Sequence, residues 1–256
     1  MWVILAFLSA ALLGFYDVFK KQSLKDNAVI PVLMLNTLFS SLLFAPFIIL
    51  SSYGVISTES LFYTPSCAIG THGYIFLKSC IVLSSWLLAY FGLKHLPLTI
   101  VGPINATRPV MVLLGALVFF AERLNLWQWL GVIVALIGIE MLKKTSRREG
   151  IDWWHDKWIY FVIAANILGA LSGLYDKYLM ASPQAGGIGL DKMVVQSWYT
   201  IYQFIMMTCV LLVLWYPRRK QSTPFRWTWS IPLISIFLST ADFVYFYALG
   251  LEGAMI

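Results

Sequence analysis

Apolar positions gather in eight long runs, at residues 2–19, 29–50, 73–93, 96–121, 126–142, 158–180, 193–216 and 231–251. A hydrocarbon core about 30 Å thick needs roughly 20 consecutive apolar residues in a helix, and each run is near that length. The joints between them are short and hydrophilic and leave no room for a soluble domain. The pattern predicts an all-α, polytopic membrane helical bundle with eight spans.

Composition agrees. The 256 residues are 60% hydrophobic and only 12% charged, more apolar surface than a soluble core of this length requires. The first run is not a cleaved signal: no basic residue precedes it, it ends in Lys20 and Lys21, and another span follows at once. Cys67, Cys80 and Cys209 lack metal-ligand spacing, and two of them fall within spans. They are expected to pack as small apolar groups rather than form disulfides. The sequon at Asn105 lies inside a span, where it cannot be glycosylated.

The formal charge of +6 is a matter of placement. Lys20, Lys21 and Lys25 follow the first span and Lys94 the third. Lys143, Lys144, Arg147, Arg148 and Lys157 follow the fifth, and Arg218, Arg219, Lys220 and Arg226 the seventh. The opposite joints offer little more than Arg123, Lys192 and Lys177. Basic loops stay cytoplasmic, so the N-terminus is expected outside. The excess marks topology, not a nucleic-acid patch. Trp2, Trp127, Trp129, Trp153, Trp154, Trp158, Trp227 and Trp229 fall near span ends and read as interfacial anchors. The long, nearly uncharged joint at 51–72 is expected to lie against the outer surface.

Two segments repeat. "AALLGFYDVF" starts at Ala10 and "GALSGLYDKY" at Gly169, so Gly14, Tyr16 and Asp17 match Gly173, Tyr175 and Asp176. Each carries a small-xxx-small pair, Ala10 with Gly14 and Gly169 with Gly173, which lets helices approach closely in lipid. A second echo sets "LAYFGL" from Leu88 against "YFYALG" from Tyr245. The sixth span then matches the first, and the eighth the third. The repeat unit is five helices, and an odd number gives inverted topology. Residues 1–145 form the first repeat and 158–256 the second, which lacks its last two helices. Eight of an expected ten spans are thus present; the chain is either an eight-span variant with a broken second repeat or, as favoured, one that continues past Ile256.

The stretch "AYFGLKHLPLTIVGPINATRPVMVLLGALVFFAERLNLWQWLGVIVALIGIEML", from Ala89 to Leu142, resembles the EamA branch of the drug/metabolite transporter superfamily. The elements that carry the resemblance are the turn at Gly92 and Leu93 and the mid-span Pro109. They are followed by the acidic Glu122-Arg123-Leu124 segment and the glycines Gly131 and Gly138. The resemblance implies ten helices in two inverted halves around a central cavity, working by alternating access without ATP. No phosphate-cradling GxxxxGK[ST] stretch is present, and no cofactor or metal is implied. One departure stands out: the residue before the mid-span proline, usually small or neutral in this family, is Arg108.

Arg108 sits about ten residues into its span, too deep to reach either surface with ease. Two readings stand. Its guanidinium clamps an anionic group of a solute, or it forms a permanent ion pair with an acidic residue on another helix. Asp242, also near mid-depth, is the natural partner; it corresponds to Trp86 in the repeat register. It is either a fixed counter-ion or a carboxylate that exchanges a proton during transport. Asp17 and Asp176, each after a tyrosine (Tyr16, Tyr175), either bridge locally to Lys20, Lys21 and Lys177 or gate the two mouths. Asn105, Trp86, Tyr90, Tyr245 and Tyr247 join the candidate solute contacts. Asn36, Gln196 and Gln203 need partners in the membrane.

The function expected is secondary transport of a small metabolite with an anionic group, an amino acid or organic acid, across a bacterial inner membrane. A lipid or polyprenyl-phosphate flippase of the same fold is the alternative. A membrane-embedded enzyme fits less well, because His72, His95 and His155 fall at loops or span ends, where they are expected to be solvated, and no HExxH or GxSxG stretch exists. The partners expected are the bilayer, a small-molecule solute and, as one option, a second copy in a homodimer, but not nucleic acid.

Overall fold

The protein was analysed as a computed structural model that describes residues 2–120, 125–148 and 155–249. The segment containing Glu122, Arg123 and Leu124, the tryptophans Trp153 and Trp154, and the run after Leu249 lie outside the described residues. The described chain is helical, without strands: α1 Trp2–Leu24, α2 Val29–Ser52, α3 Ile69–His95, α4 Leu98–Asn105, α5 Arg108–Phe120, α6 Leu126–Arg148, α7 Lys157–Met180, α8 Lys192–Val210 and α9 Ser230–Leu249. Among the described residues six helical stretches are long and apolar enough to cross a membrane: α2, α3, α4 with α5, α7, α8 with its continuation, and α9.

Large apolar side chains stand on the outside as well as in the core, and polar ones lie buried. Phe7, Val118 and Val213 are more than two-thirds exposed, whereas Asn36, Lys78, Asn166 and Gln203 are buried almost completely. Lipid tolerates apolar side chains outside, while polar groups must find partners within the protein. This is a multi-pass membrane protein.

The fourth apolar run is not one helix. Pro109 has no N–H, so the carbonyl of Asn105 loses its helical donor, and its ring disfavours helical backbone at the residue before it. The chain turns at Ala106 and Thr107, where the Thr107 hydroxyl donates to the Ile104 carbonyl at 2.7 Å, and α5 restarts at Arg108.

The chain divides into two compact units. One holds the chain up to Leu83 and from Asp176 onward; the other holds Ser84–Tyr175. In the first, α1 packs on α9, and α2 packs on α8 and α9. Phe237 stacks on both Phe15 and Phe19 at 5.4 Å. Small polar groups one turn apart join α2 to α9: Ser235 donates to Asn36 Oδ1 at 3.0 Å, and Ser239 to Ser40 at 3.2 Å. In the second, α4 packs on α6, and Val112 and Ala116 of α5 meet Ala170 and Leu174 of α7.

The glycine motifs act differently from the expectation of close helix approach. A Cβ at Gly14 would stand in open space, whereas one at Gly169 would strike the Arg108 guanidinium, 2.8 Å from Cζ. Gly169 makes room for a side chain, not for a neighbouring backbone.

Candidate functional site

The first unit holds a charged cluster in its interior. Lys78, ten residues into α3, forms an ion pair with Asp176 of α7, and both are buried, 2% and 5% exposed. Its ammonium lies 4.9 Å from the ring centre of Tyr199 and 5.1 Å from that of Phe246, cation–π distances at which ring faces replace water. The Tyr199 hydroxyl in turn donates to Asp242 Oδ2. Ser79, the neighbour of Lys78, donates to the Ile75 carbonyl at 2.8 Å and to that of Tyr199 at 3.4 Å. Helices α3, α7, α8 and α9 thus bring one ammonium, two carboxylates and a phenol together.

Neighbouring groups on α8 are less well served. Gln203 and Gln196 are buried, and the amide atoms of both have no hydrogen-bond partner among the described residues. Asn36, by contrast, meets the need for a membrane partner through Ser235. Tyr245 sits beside Phe246, with ring centres 5.4 Å apart.

Asp176 therefore reaches across to α3 for Lys78, a partner the local expectation of Lys177 did not foresee. A lysine deep in an apolar helix needs a charge beside it, and the next lysine along α7 cannot supply one for Lys78. Asp17 does pair locally, with Lys20 at 2.6 Å, and Lys20 caps the Tyr16 ring at 4.2 Å. Tyr175 is half-buried, one residue before Asp176.

The second unit holds Arg108. It is the first residue of α5, beside the break, with Asn105 closing α4 on the other side. Its Nε donates to Asn166 Oδ1 at 3.3 Å, and the Asn166 amide donates to the Ile104 carbonyl at 2.8 Å. Asn166, fully buried on α7, thus holds both the cation and the turn that carries it. Tyr90 is fully buried and Trp86 half-buried on the same unit's part of α3.

Sequence reasoning missed Lys78, Tyr199, Phe246 and Asn166. Lys78 was open to the rule that picked out Arg108, a charge within an apolar span. Tyr199, Phe246 and Asn166 act through neighbours that only folding supplies. His95 and His155 are exposed, as expected at loops and span ends, whereas His72 is half-buried. His72 Nδ1 lies 2.8 Å from the Tyr202 hydroxyl, and His95 stacks flat on Trp158 with ring centres 3.6 Å apart.

Among the described residues no cluster of three metal-ligating side chains occurs. The family model described as the EamA-like transporter family matches residues 1–142. The chain is also similar to a protein of Sinorhizobium sp named "Uncharacterized transporter in cobO 3'region". The two are 28% identical over 142 residues, which is 55% of this chain and 95% of that one.

Proposed function

Because the chain belongs to the EamA-like transporter family, it is a membrane transporter, and we propose that it moves a small metabolite bearing an anionic group across the cytoplasmic membrane by alternating access. One observation carries this reading: Arg108 is the first residue of α5, at a break inside a membrane span. A helix N-terminus bears partial positive charge, and a cation placed there is disfavoured by about 0.3–1 kcal/mol. Putting the guanidinium in hydrocarbon costs at least about 2.5–3.5 kcal/mol more on insertion scales. The hydrogen bond to Asn166 returns about 1.5–3 kcal/mol. Broken helices in transporters present such ends to anionic solutes, and the guanidinium at this one adds a planar donor fork that matches a carboxylate or phosphate.

In this reading Asn105, Trp86 and Tyr90 line the solute's approach to Arg108. Asp242, Tyr245 and the Lys78–Asp176 pair serve the cycle that moves it. Tyr16, Asp17, Tyr175 and Asp176 stand at repeat-related positions and gate the two ends. The first repeat, 1–145, and the second, 158–256, which lacks its last two helices, are the halves that rock, and the N-terminus faces outward, as the loop charges require.

The test is thermal unfolding of the purified protein in detergent against a panel of metabolites. A ligand at 100 times its dissociation constant adds about 2.7 kcal/mol of stability. A class of soluble anions should stabilise the native protein and not Arg108→Gln. Stabilisation by anionic lipid head groups alone would favour flippase activity and overturn this reading.

A further inference from the structure

The three cysteines stand in three environments. Cys209 is exposed on α8, and Cys80 packs in α3 with its sulfur 3.6 Å from that of Met206. Cys67 precedes α3, outside the apolar helices, between the exposed Ser66 and Ala68. Its Sγ lies 3.4 Å from Nε2 of His72, in the first turn of α3. The other ring nitrogen of His72, Nδ1, lies 2.8 Å from the Tyr202 hydroxyl of α8. Trp198 meets the imidazole edge-on with ring centres 4.6 Å apart. The titratable groups that the structure sets against His72 are thus Cys67 from the α2–α3 segment and Tyr202 from α8.

Nucleophile, base and a group that orients the base form the order that activates a thiol. With Tyr202 accepting from Nδ1–H, the Nε2 lone pair faces the sulfur. Burial pushes the Cys67 thiol up from its ordinary pKa, against a smaller backbone hydrogen bond that lowers it. At neutral pH the group therefore rests as S–H and needs a base at the moment of attack. The apolar packing expected of cysteines within spans does not extend to this one, which lies outside them.

We propose that Cys67, His72 and Tyr202 form a thiol–disulfide exchange site for small-molecule disulfides. The Cys67 sulfur attacks one sulfur of the disulfide while its proton passes to His72 Nε2. The disulfide bond breaks, a mixed disulfide forms at Cys67, and the departing thiolate takes the proton back from the imidazolium. Cys67 is oxidised, half of the reagent is reduced, and no further oxidant is needed. Loop charges put this segment outside, where disulfides persist. A group attached at Cys67 displaces His72 from Tyr202, and so loosens the contact between α3 and α8 and couples transport to the redox state outside.

The experiment uses the full chain, with Cys80→Ala and Cys209→Ala so that only Cys67 reports, treated with glutathione disulfide and followed by intact mass. The folded protein should gain one glutathione. His72→Gln should slow the reaction at least about tenfold at neutral pH, since a positioned base contributes on the order of a hundredfold or more. The difference should vanish at alkaline pH, where the thiolate forms unaided. An equal rate in the His72→Gln variant overturns the proposal, as does a Cys67 that reacts only after denaturation. Should that variant fail to fold, the parent decides alone. A rate rising by less than about tenfold per pH unit near neutrality supports base assistance, whereas the full tenfold rise of simple thiolate titration overturns it.

Discussion

Lys78 shows how a single side chain commits its surroundings. With its ammonium bound by Asp176 and covered by two aromatic rings, it cannot lose its partner cheaply. Breaking a buried pair by removing one member costs about 3–5 kcal/mol, whereas replacing both by apolar residues of similar volume is often neutral. Lys78→Met and Asp176→Leu alone should therefore each destabilise the protein by about that amount in denaturant unfolding, and the double variant should recover most of it. A double variant as unstable as the sum of the two would show that the pair is not the source. Asn166 makes a second case. Its amide holds both Arg108 and the Ile104 carbonyl, so Asn166→Leu removes one hydrogen bond from each, although that carbonyl keeps the Thr107 hydroxyl. A loss of about 2–4 kcal/mol in the same assay is expected, from one ordinary and one charge-assisted hydrogen bond. At this scale the sequence was half legible. Arg108 and Asp242 declared themselves by charge within apolar runs, and Lys78 would have done so by the same test. Asn166 and Tyr199 gave no such sign, because an amide or a phenol in a span is common and its partner lies far along the chain.

Helix α5 owes its start to Pro109. The eight apolar runs are helical where they are described, and six of them give stretches long and apolar enough to cross a membrane, whereas the first and fifth do not reach that measure among the described residues. What the runs did not disclose was the break at Ala106 and Thr107. A mid-span proline is tolerated in membrane helices when a neighbour satisfies the freed backbone. Here Asn166 bonds the carbonyl of Ile104, next to the Asn105 carbonyl that Pro109 leaves without its helical donor. Pro109→Ala should let α4 and α5 fuse, with stability unchanged or higher, while transport falls because Arg108 no longer stands at a helix start. Wild-type transport with a continuous helix, judged by a structure of the variant, would separate the break from function. Gly169→Ala probes the same element from α7. Its methyl group would lie about 2.8 Å from the guanidinium, too close for a relaxed contact. The solute KM should rise by an order of magnitude with little change in folding.

The molecule is a membrane transporter whose interior carries its polar chemistry in two places, each within its own compact unit. One presents a cation at a helix start, and the other joins two carboxylates, a phenol and an ammonium. The proposed cycle assigns coupling to the second, with Asp242, bonded by Tyr199, as the group that exchanges a proton. Transport in Asp242→Asn should lose its pH dependence, and a dependence left unchanged would remove Asp242 from the coupling step. The central claim, however, concerns what Arg108 binds. The most direct measurement is counterflow in proteoliposomes, with an anionic metabolite selected by thermal shift and its neutral methyl ester, for the native protein, Arg108→Lys and Arg108→Gln. The account predicts that the native protein carries the anion and not the ester. Arg108→Lys should keep part of that activity and Arg108→Gln should lose at least about tenfold in kcat/KM, since truncating a buried charged partner costs about 2–5 kcal/mol. An Arg108→Gln protein that carries the anion with native kinetics would contradict it.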